Sequence, residues 1–195
     1  MENEIKEAVP KYNYITPSQY LETERMAEYK NEYYDGHMYA MSGASLKHNI
    51  IASNLSAKIG YFLDGRNCRM LQSEMRVSTP THDSYMYPDA VIVCGEPELE
   101  DDKFDTLLNP SVIFEILSPS TRSIDKERKF FFYREIPSLL EYIMIDSLKR
   151  HIIIVRRQTD QSWKFEDIGE HEFELTIQTI NFKLPLGAIY NGTSL

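Results

Sequence analysis

Val112-Ile113-Phe114-Glu115-Ile116-Leu117-Ser118-Pro119-Ser120 sets one carboxylate in the middle of an unbroken apolar run, then breaks at Ser-Pro-Ser. A short β-branched run bounded by turn residues is the pattern of a strand covered on both faces. Upstream, Tyr87-Pro88-Asp89 leads into a second such run, Ala90-Val91-Ile92-Val93-Cys94. Downstream, Asp125-Lys126-Glu127-Arg128-Lys129 begins a segment predicted to be helical as far as Glu135, with Ser123 as its cap and Pro137 as its stop. Strand alternation puts Glu115 on the face of Ile113 and Leu117, where a lone ionised carboxylate is costly.

Outward from this centre the chain reads as an α/β domain with a mixed central sheet, flanking helices and a hairpin-rich C-terminal part. Residues 1–13 form a polar lead-in and 14–195 a single domain. Thr16-Pro17-Ser18-Gln19 starts a helix predicted to reach about Glu28, since Thr caps, Pro takes the first turn and Gln reaches back. Asn31–Tyr34 and His37–Met41 flank Asp35-Gly36, a strong hairpin signal. Ser45 caps a second helix with the stripe Ile51, Leu55, Ile59 and Phe62, ended by Asp64-Gly65. Met70 to Val77 alternates as one strand, with Glu74 and Arg76 on a shared face as a simple salt bridge. Leu140–Ile145, His151–Arg157, Trp163–Ile168 and Glu174–Ile177 complete an antiparallel tail.

No apolar run is long enough to cross a bilayer, and no apolar signal segment follows Met1-Glu2-Asn3-Glu4. Cys68 and Cys94 belong to no C-x-x-C pair and read as buried, reduced thiols of a cytoplasmic protein rather than as a disulfide. The net charge of −9 opposes nonspecific attraction to nucleic acid, yet residues 122–157 carry nine basic side chains against five acidic ones. A local basic face is compatible with a nucleic-acid substrate, and equally with simple solvated charge.

Asp89 and Glu115 are the candidate chemistry. Two carboxylates on adjoining strands repel one another, and a hard divalent ion, Mg²⁺ or Mn²⁺ rather than Zn²⁺, would satisfy an all-oxygen set. Alternatively, Asp89 caps a strand and Glu115 pairs with a buried Arg or Lys. Asp125, Lys129 and Tyr133, spaced by four, share one helix face that follows Glu115 closely. Lys129 could there orient water or stabilise phosphate charge, or it could make an ordinary i,i+4 ion pair. His48, near the start of the second helix, could touch the same site or be a satisfied structural histidine. The five histidines stand in no metal-ligand spacing with either cysteine, which argues against zinc. No Gly-rich phosphate loop is present, which disfavours an ATPase.

At these residues the chain resembles the Uma-type restriction-endonuclease family, formerly a domain of unknown function, within the PD-(D/E)XK nuclease superfamily. The resemblance covers about residues 14–190. It rests on Glu32-Tyr33-Tyr34-Asp35-Gly36, Ser45-Leu46-Lys47-His48-Asn49, Pro88-Asp89-Ala90-Val91-Ile92-Val93 and Phe114-Glu115-Ile116-Leu117-Ser118-Pro119-Ser120. It continues through Asp125, Lys129 and Tyr133 to Glu141-Tyr142-Ile143-Met144-Ile145-Asp146. The resemblance implies a restriction-endonuclease-like core, Asp89 and Glu115 as metal ligands, Lys129 as the catalytic lysine and Glu32 as an upstream acidic site residue. One departure stands out: the superfamily's lysine usually lies two residues after the second acid, where this chain has Leu117.

The sequence thus raises three expectations. The first is a Mg²⁺-dependent endonuclease acting on DNA, with the Ile116 carbonyl as a further ligand. The second is a non-catalytic protein of the same fold that binds nucleic acid or a partner protein. The third is a homo-oligomer, a homodimer for instance, joined through the aromatic hairpin Tyr33–Tyr39.

Overall fold

The structure, a computed structural model, describes residues 14–119, 124–169 and 172–195. The predicted cap at Ser123 and the lead-in 1–13 lie outside the described residues. Helix α1 (Pro17–Glu24) begins at the expected capping box between Thr16 and Gln19. It stops short of Glu28 because its buried face ends with Tyr20, Leu21 and Glu24, while Met26 is exposed. Glu24 turns to the Asn31 amide at 2.9 Å and the Tyr87 hydroxyl at 3.1 Å.

Strands β1 (Asn31–Tyr34) and β2 (His37–Ala40) form the predicted hairpin. Asp35 and Gly36 both have positive φ, 44° and 83°, as a two-residue turn of this hand requires. The Tyr14 ring occupies the space that a Cβ on Gly36 would need. Helix α2 (Leu46–Leu63) follows, capped by Ser45, and buries Ile51, Leu55, Ile59 and Leu63. Then come β3 (Cys68–Gln72), β4 (Arg76–Ser78), β5 (Ser84–Met86), β6 (Ala90–Cys94), β7 (Thr106–Leu107) and β8 (Val112–Leu117). A π-helical turn (Ile124–Lys129) runs into α3 (Phe130–Tyr133). The chain ends with β9 (Glu141–Asp146), β10 (Ile152–Arg157), β11 (Trp163–Ile168), β12 (Glu174–Ile177), β13 (Phe182–Pro185) and α4 (Leu186–Ile189).

Two sheets result. The larger has the order β11-β10-β9-β8-β6-β3, with β8 and β9 parallel and the other neighbours antiparallel. The smaller has the order β2-β1-β5-β4-β7. On one face of the larger sheet, Ile92, Phe114, Ile116, Ile143 and Ile145 pack with the α2 stripe. On the other, Val91, Val93, Ile113, Leu117 and Met144 meet Tyr133 and Ile136 as well as Tyr34, Val77 and Met86 of the smaller sheet. Coverage on both faces explains the unbroken apolar runs of β6 and β8. Truncating Phe114 to Ala would leave a cavity costing about 3–5 kcal/mol.

Three expectations fail here. Met70–Val77 is not one strand: the chain turns at Ser73-Glu74, with the Met75 amide on the Gln72 carbonyl, and passes from the larger sheet to the smaller. Alternation continues through such a turn and conceals it. Glu74 pairs with Lys30 at 2.6 Å and Arg76 with Asp105 at 2.6 Å, not with each other. Cys68 and Cys94 are joined in a disulfide because the β3–β6 register sets them directly opposite, so the thiol argument no longer supports a cytoplasmic assignment. Tyr33 and Tyr34 are buried within the subunit, leaving only part of the hairpin's aromatic surface free for a second copy. Strand β13 and helix α4 carried no signal strong enough to predict them. Among the described residues, no helix is long and apolar enough to cross a membrane.

Candidate active site

The chain crosses from the smaller sheet to the larger at Tyr87-Pro88-Asp89, and the candidate residues gather at that crossing. Asp89 sits just before β6, whose pairing with β8 begins at Ala90 opposite Phe114. Beyond that pair, the Asp89 carboxylate takes over from the ladder: its Oδ2 accepts from the Ile116 amide at 2.6 Å. Its Oδ1 lies 3.1 Å from Nε2 of His48, on the first turn of α2. The backbone of the residue following Glu115 is therefore held by Asp89.

Glu115 projects from mid-β8 toward the π-helical turn. Its Oε1 accepts from Lys129 Nζ at 3.1 Å and from the Tyr133 hydroxyl at 3.2 Å. Lys129 Nζ also lies 2.9 Å from Glu32 Oε1 and 3.5 Å from Asp125 Oδ1. Glu32 accepts in addition from the Tyr34 hydroxyl at 2.7 Å and the Tyr87 amide at 3.1 Å. Glu32, Glu115, Asp125 and Lys129 are all at most 7% exposed. The wide π turn, a form that recurs at functional sites, carries Asp125 and Lys129 inward together.

Among the described residues, the Lys129 ammonium faces the buried carboxylates of Glu32, Glu115 and Asp125, with Asp89 adding a further negative charge nearby. Burial pushes the Glu115 carboxyl well above the usual range; Lys129 opposes this, while Asp125, Asp89 and Glu32 add to it. Burial works against the Lys129 ammonium, but Glu115 and Glu32 outweigh it and hold its affinity for a proton well above the ordinary lysine value. Both shifts favour the protonated form, for Glu115 chiefly through burial and for Lys129 through the carboxylates beside it. Burial and the adjacent carboxylates also raise Tyr34 and Tyr133, so both phenols remain donors.

The structure brings together all four sequence candidates, Glu32, Asp89, Glu115 and Lys129. Sequence reasoning placed Tyr133 on the face of Lys129 but gave neither it nor Tyr34 a part in the site. Tyr34 stands two residues after Glu32 on the same strand face, and Tyr133 four after Lys129, so spacing alone carried the signal. His48, the secondary candidate, is in contact with Asp89.

The Uma2 family model, described as "Putative restriction endonuclease", matches residues 17–187. The chain belongs to the Uma2 family. Two relatives come from Synechocystis sp. (strain ATCC 27184 / PCC 6803 / Kazusa). Uncharacterized protein sll1609 is 34% identical over 85% of this chain and 95% of its own length. Uncharacterized protein slr1290 is 29% identical over 91% and 92%. A crystal structure from Anabaena variabilis ATCC 29413, titled a putative nuclease belonging to DUF820, superposes with a TM-score of 0.74 at 18% identity. That superposition covers 90% of this chain and 97% of the other. The fold of this Uma2 member is thus restriction-endonuclease-like.

Proposed function

We propose that the chain is a divalent-cation-dependent endonuclease that hydrolyses DNA phosphodiester bonds, with Asp89 and Glu115 holding Mg²⁺, or Mn²⁺ in its place. The family description and the fold support a nuclease. The observation that carries the reading is the buried convergence of Lys129 Nζ on Glu115 and Glu32, beside an Asp89 tied to the next backbone amide. The donors suit a hard ion, and among the described residues Glu32, Asp89 and Glu115 stand around the ammonium of Lys129, negative charge such an ion would balance. Among the described residues, no three His, Cys, Asp or Glu side chains form a metal cage. Mg²⁺ does not require one, since it keeps several waters and uses one or two carboxylates.

When bound, the ion would polarise the scissile phosphate and acidify a coordinated water. The residues supply the rest. Lys129, held protonated, acts as a hydrogen-bond donor and a fixed positive charge beside the developing phosphorane, not as the proton acceptor. Glu32, supported by Tyr34 and the Tyr87 amide, holds the ammonium in place. Tyr133 and Lys129 fix the Glu115 carboxylate, and the Ile116 amide fixes that of Asp89.

Nicking of supercoiled plasmid with and without Mg²⁺ tests this reading. Asp89→Ala and Lys129→Ala are each expected to abolish the Mg²⁺-dependent cut. An Asp89→Ala protein that cuts at the wild-type rate overturns the assignment. Wild-type protein that binds DNA but never nicks it points instead to the non-catalytic alternative.

A further inference from the structure

We propose that Tyr39, Arg128 and Phe131 form a docking strip for an unpaired DNA strand, leading directly to the carboxylate cluster. The inference rests on the nuclease reading and names the form of substrate that site takes.

The Arg128 guanidinium lies over two tyrosines that touch edge to face, 4.4 Å from the Tyr34 ring centre and 4.3 Å from that of Tyr39. Its Nη2 donates to the Tyr39 hydroxyl at 2.9 Å, which fixes its orientation. The Tyr34 ring continues to Phe132 at 5.4 Å, Phe132 to Phe131 at 5.5 Å, and Arg134 lies 4.6 Å over Phe131. Two aromatic members of this chain of contacts, Tyr39 and Phe131, are 40% and 51% exposed. The inner end is anchored in the site: the Tyr34 hydroxyl donates to Glu32, which holds Lys129.

Partly exposed aromatic rings, each with a guanidinium over it, suit bases that have left the stack, with phosphates on the arginines. A duplex hides its base faces and presents about one charge per 1.7 Å of axis. From Glu127 to Glu135 the two exposed glutamates offset the two arginines, and the whole protein carries −9, which offers little to that charge density. A single strand has lower charge density and offers the stacking surface the strip can use.

Fluorescence anisotropy of the full chain in EDTA, with a labelled single strand and the duplex of the same sequence, separates binding from cutting. The single strand is expected to bind more tightly, with a salt slope of only about −1.4 for two phosphate contacts. Tyr39→Ala and Phe131→Ala should each weaken single-strand binding about tenfold and leave duplex binding unchanged. Tyr39→Phe, which keeps the stacking ring but loses the hydrogen bond to Arg128, should bind the single strand more tightly than Tyr39→Ala. The strip is overturned if wild type binds both DNAs equally or binds no single strand. It is also overturned if neither alanine variant alters binding, or if Tyr39→Ala splits a dimer on sedimentation, since a second copy would then cover the strip. A protein that binds through the strip but never cuts sinks the hydrolytic reading alone. One that cuts normally and is indifferent to both alanine variants sinks the strip alone.

Discussion

The parallel neighbours β8 and β9 each carry one buried glutamate, and the two are provided for in opposite ways. Glu141, on β9, has both oxygens engaged. Its Oε1 accepts from Arg156 Nε at 2.9 Å and the Gln178 amide at 3.1 Å. Its Oε2 accepts from the Thr179 amide at 2.8 Å and the Thr179 hydroxyl at 2.7 Å. Arg156 continues to Glu166 and to the Thr176 carbonyl. This is a clamp between sheet and C-terminal segment, closed by fixed donors from the protein itself. Glu115, on β8, shares a single lysine with Glu32 and Asp125 and holds on to protons. A buried charge completed by fixed donors of the fold serves stability; Glu115, which among the described residues shares its ammonium with Glu32, is placed to serve something that binds.

The largest expected effect breaks the clamp. Arg156→Ala leaves Glu141 without its counter-charge and should destabilise the fold by about 3–5 kcal/mol in urea unfolding. If the variant unfolds at the wild-type midpoint, the clamp is not structural and the contrast fails. Lys129→Ala comes next and should act on rate: Mg²⁺-dependent nicking should fall by at least about 10²–10³, the usual loss when one preorganised electrostatic donor is removed, and so drop out of detection in the plasmid assay. Cutting that survives Lys129→Ala would make the two clusters alike.

A smaller effect lies in pH. Well below pH 4.5, Glu115 is protonated in folded and unfolded chains alike and costs nothing. As pH rises above that value, the unfolded chain releases the proton first while the folded chain keeps it, so stability declines until pH passes the raised folded value. Glu115→Gln in EDTA should therefore be more stable than wild type at neutral pH, the gain vanishing on acidification. Each kcal/mol would appear as about 2–4 °C in Tm. Mg²⁺ should raise the Tm of wild type, by about 2.7 kcal/mol at a hundredfold excess over Kd, and have little effect on the variant. A Glu115→Gln protein less stable than wild type at neutral pH would place Glu115 with Glu141, as a structural carboxylate.

Much of this contrast was legible in the sequence, for identifiable reasons. Glu115 inside an apolar run, and Asp125, Lys129 and Tyr133 at intervals of four, are local patterns whose geometry follows from strand and helix periods. Ser45 and Thr16 announced their helices through capping chemistry that depends on neighbours only. What escaped depends on register between distant strands: the Cys68–Cys94 bridge, the separate partners of Glu74 and Arg76, and the sheet change at Ser73-Glu74. The clamp on Glu141 escaped for the same reason, since its donors at Gln178 and Thr179 lie far along the chain. The wide turn at Ile124–Lys129 differs from an α-helix in hydrogen-bond spacing, which side-chain periodicity over one turn does not resolve.

The smallest expected effect probes the one anchor in the site that is not closed. Asp89 is held by the Ile116 amide on one oxygen and by His48 on the other, and Nδ1 of His48 is buried with no hydrogen-bond partner among the described residues. Glu141 would keep three anchors on losing one; Asp89 would keep only one. Groups that orient a metal ligand typically account for 10–100-fold in metal affinity. His48→Ala should therefore raise the Mg²⁺ concentration for half-maximal nicking about tenfold, with a lesser change in rate at saturating ion. His48→Gln, which keeps a donor within reach of Oδ1, should recover part of the loss. A His48→Ala protein with unaltered Mg²⁺ demand but a depressed saturating rate would separate His48 from the orientation of Asp89 and place its action on the substrate instead.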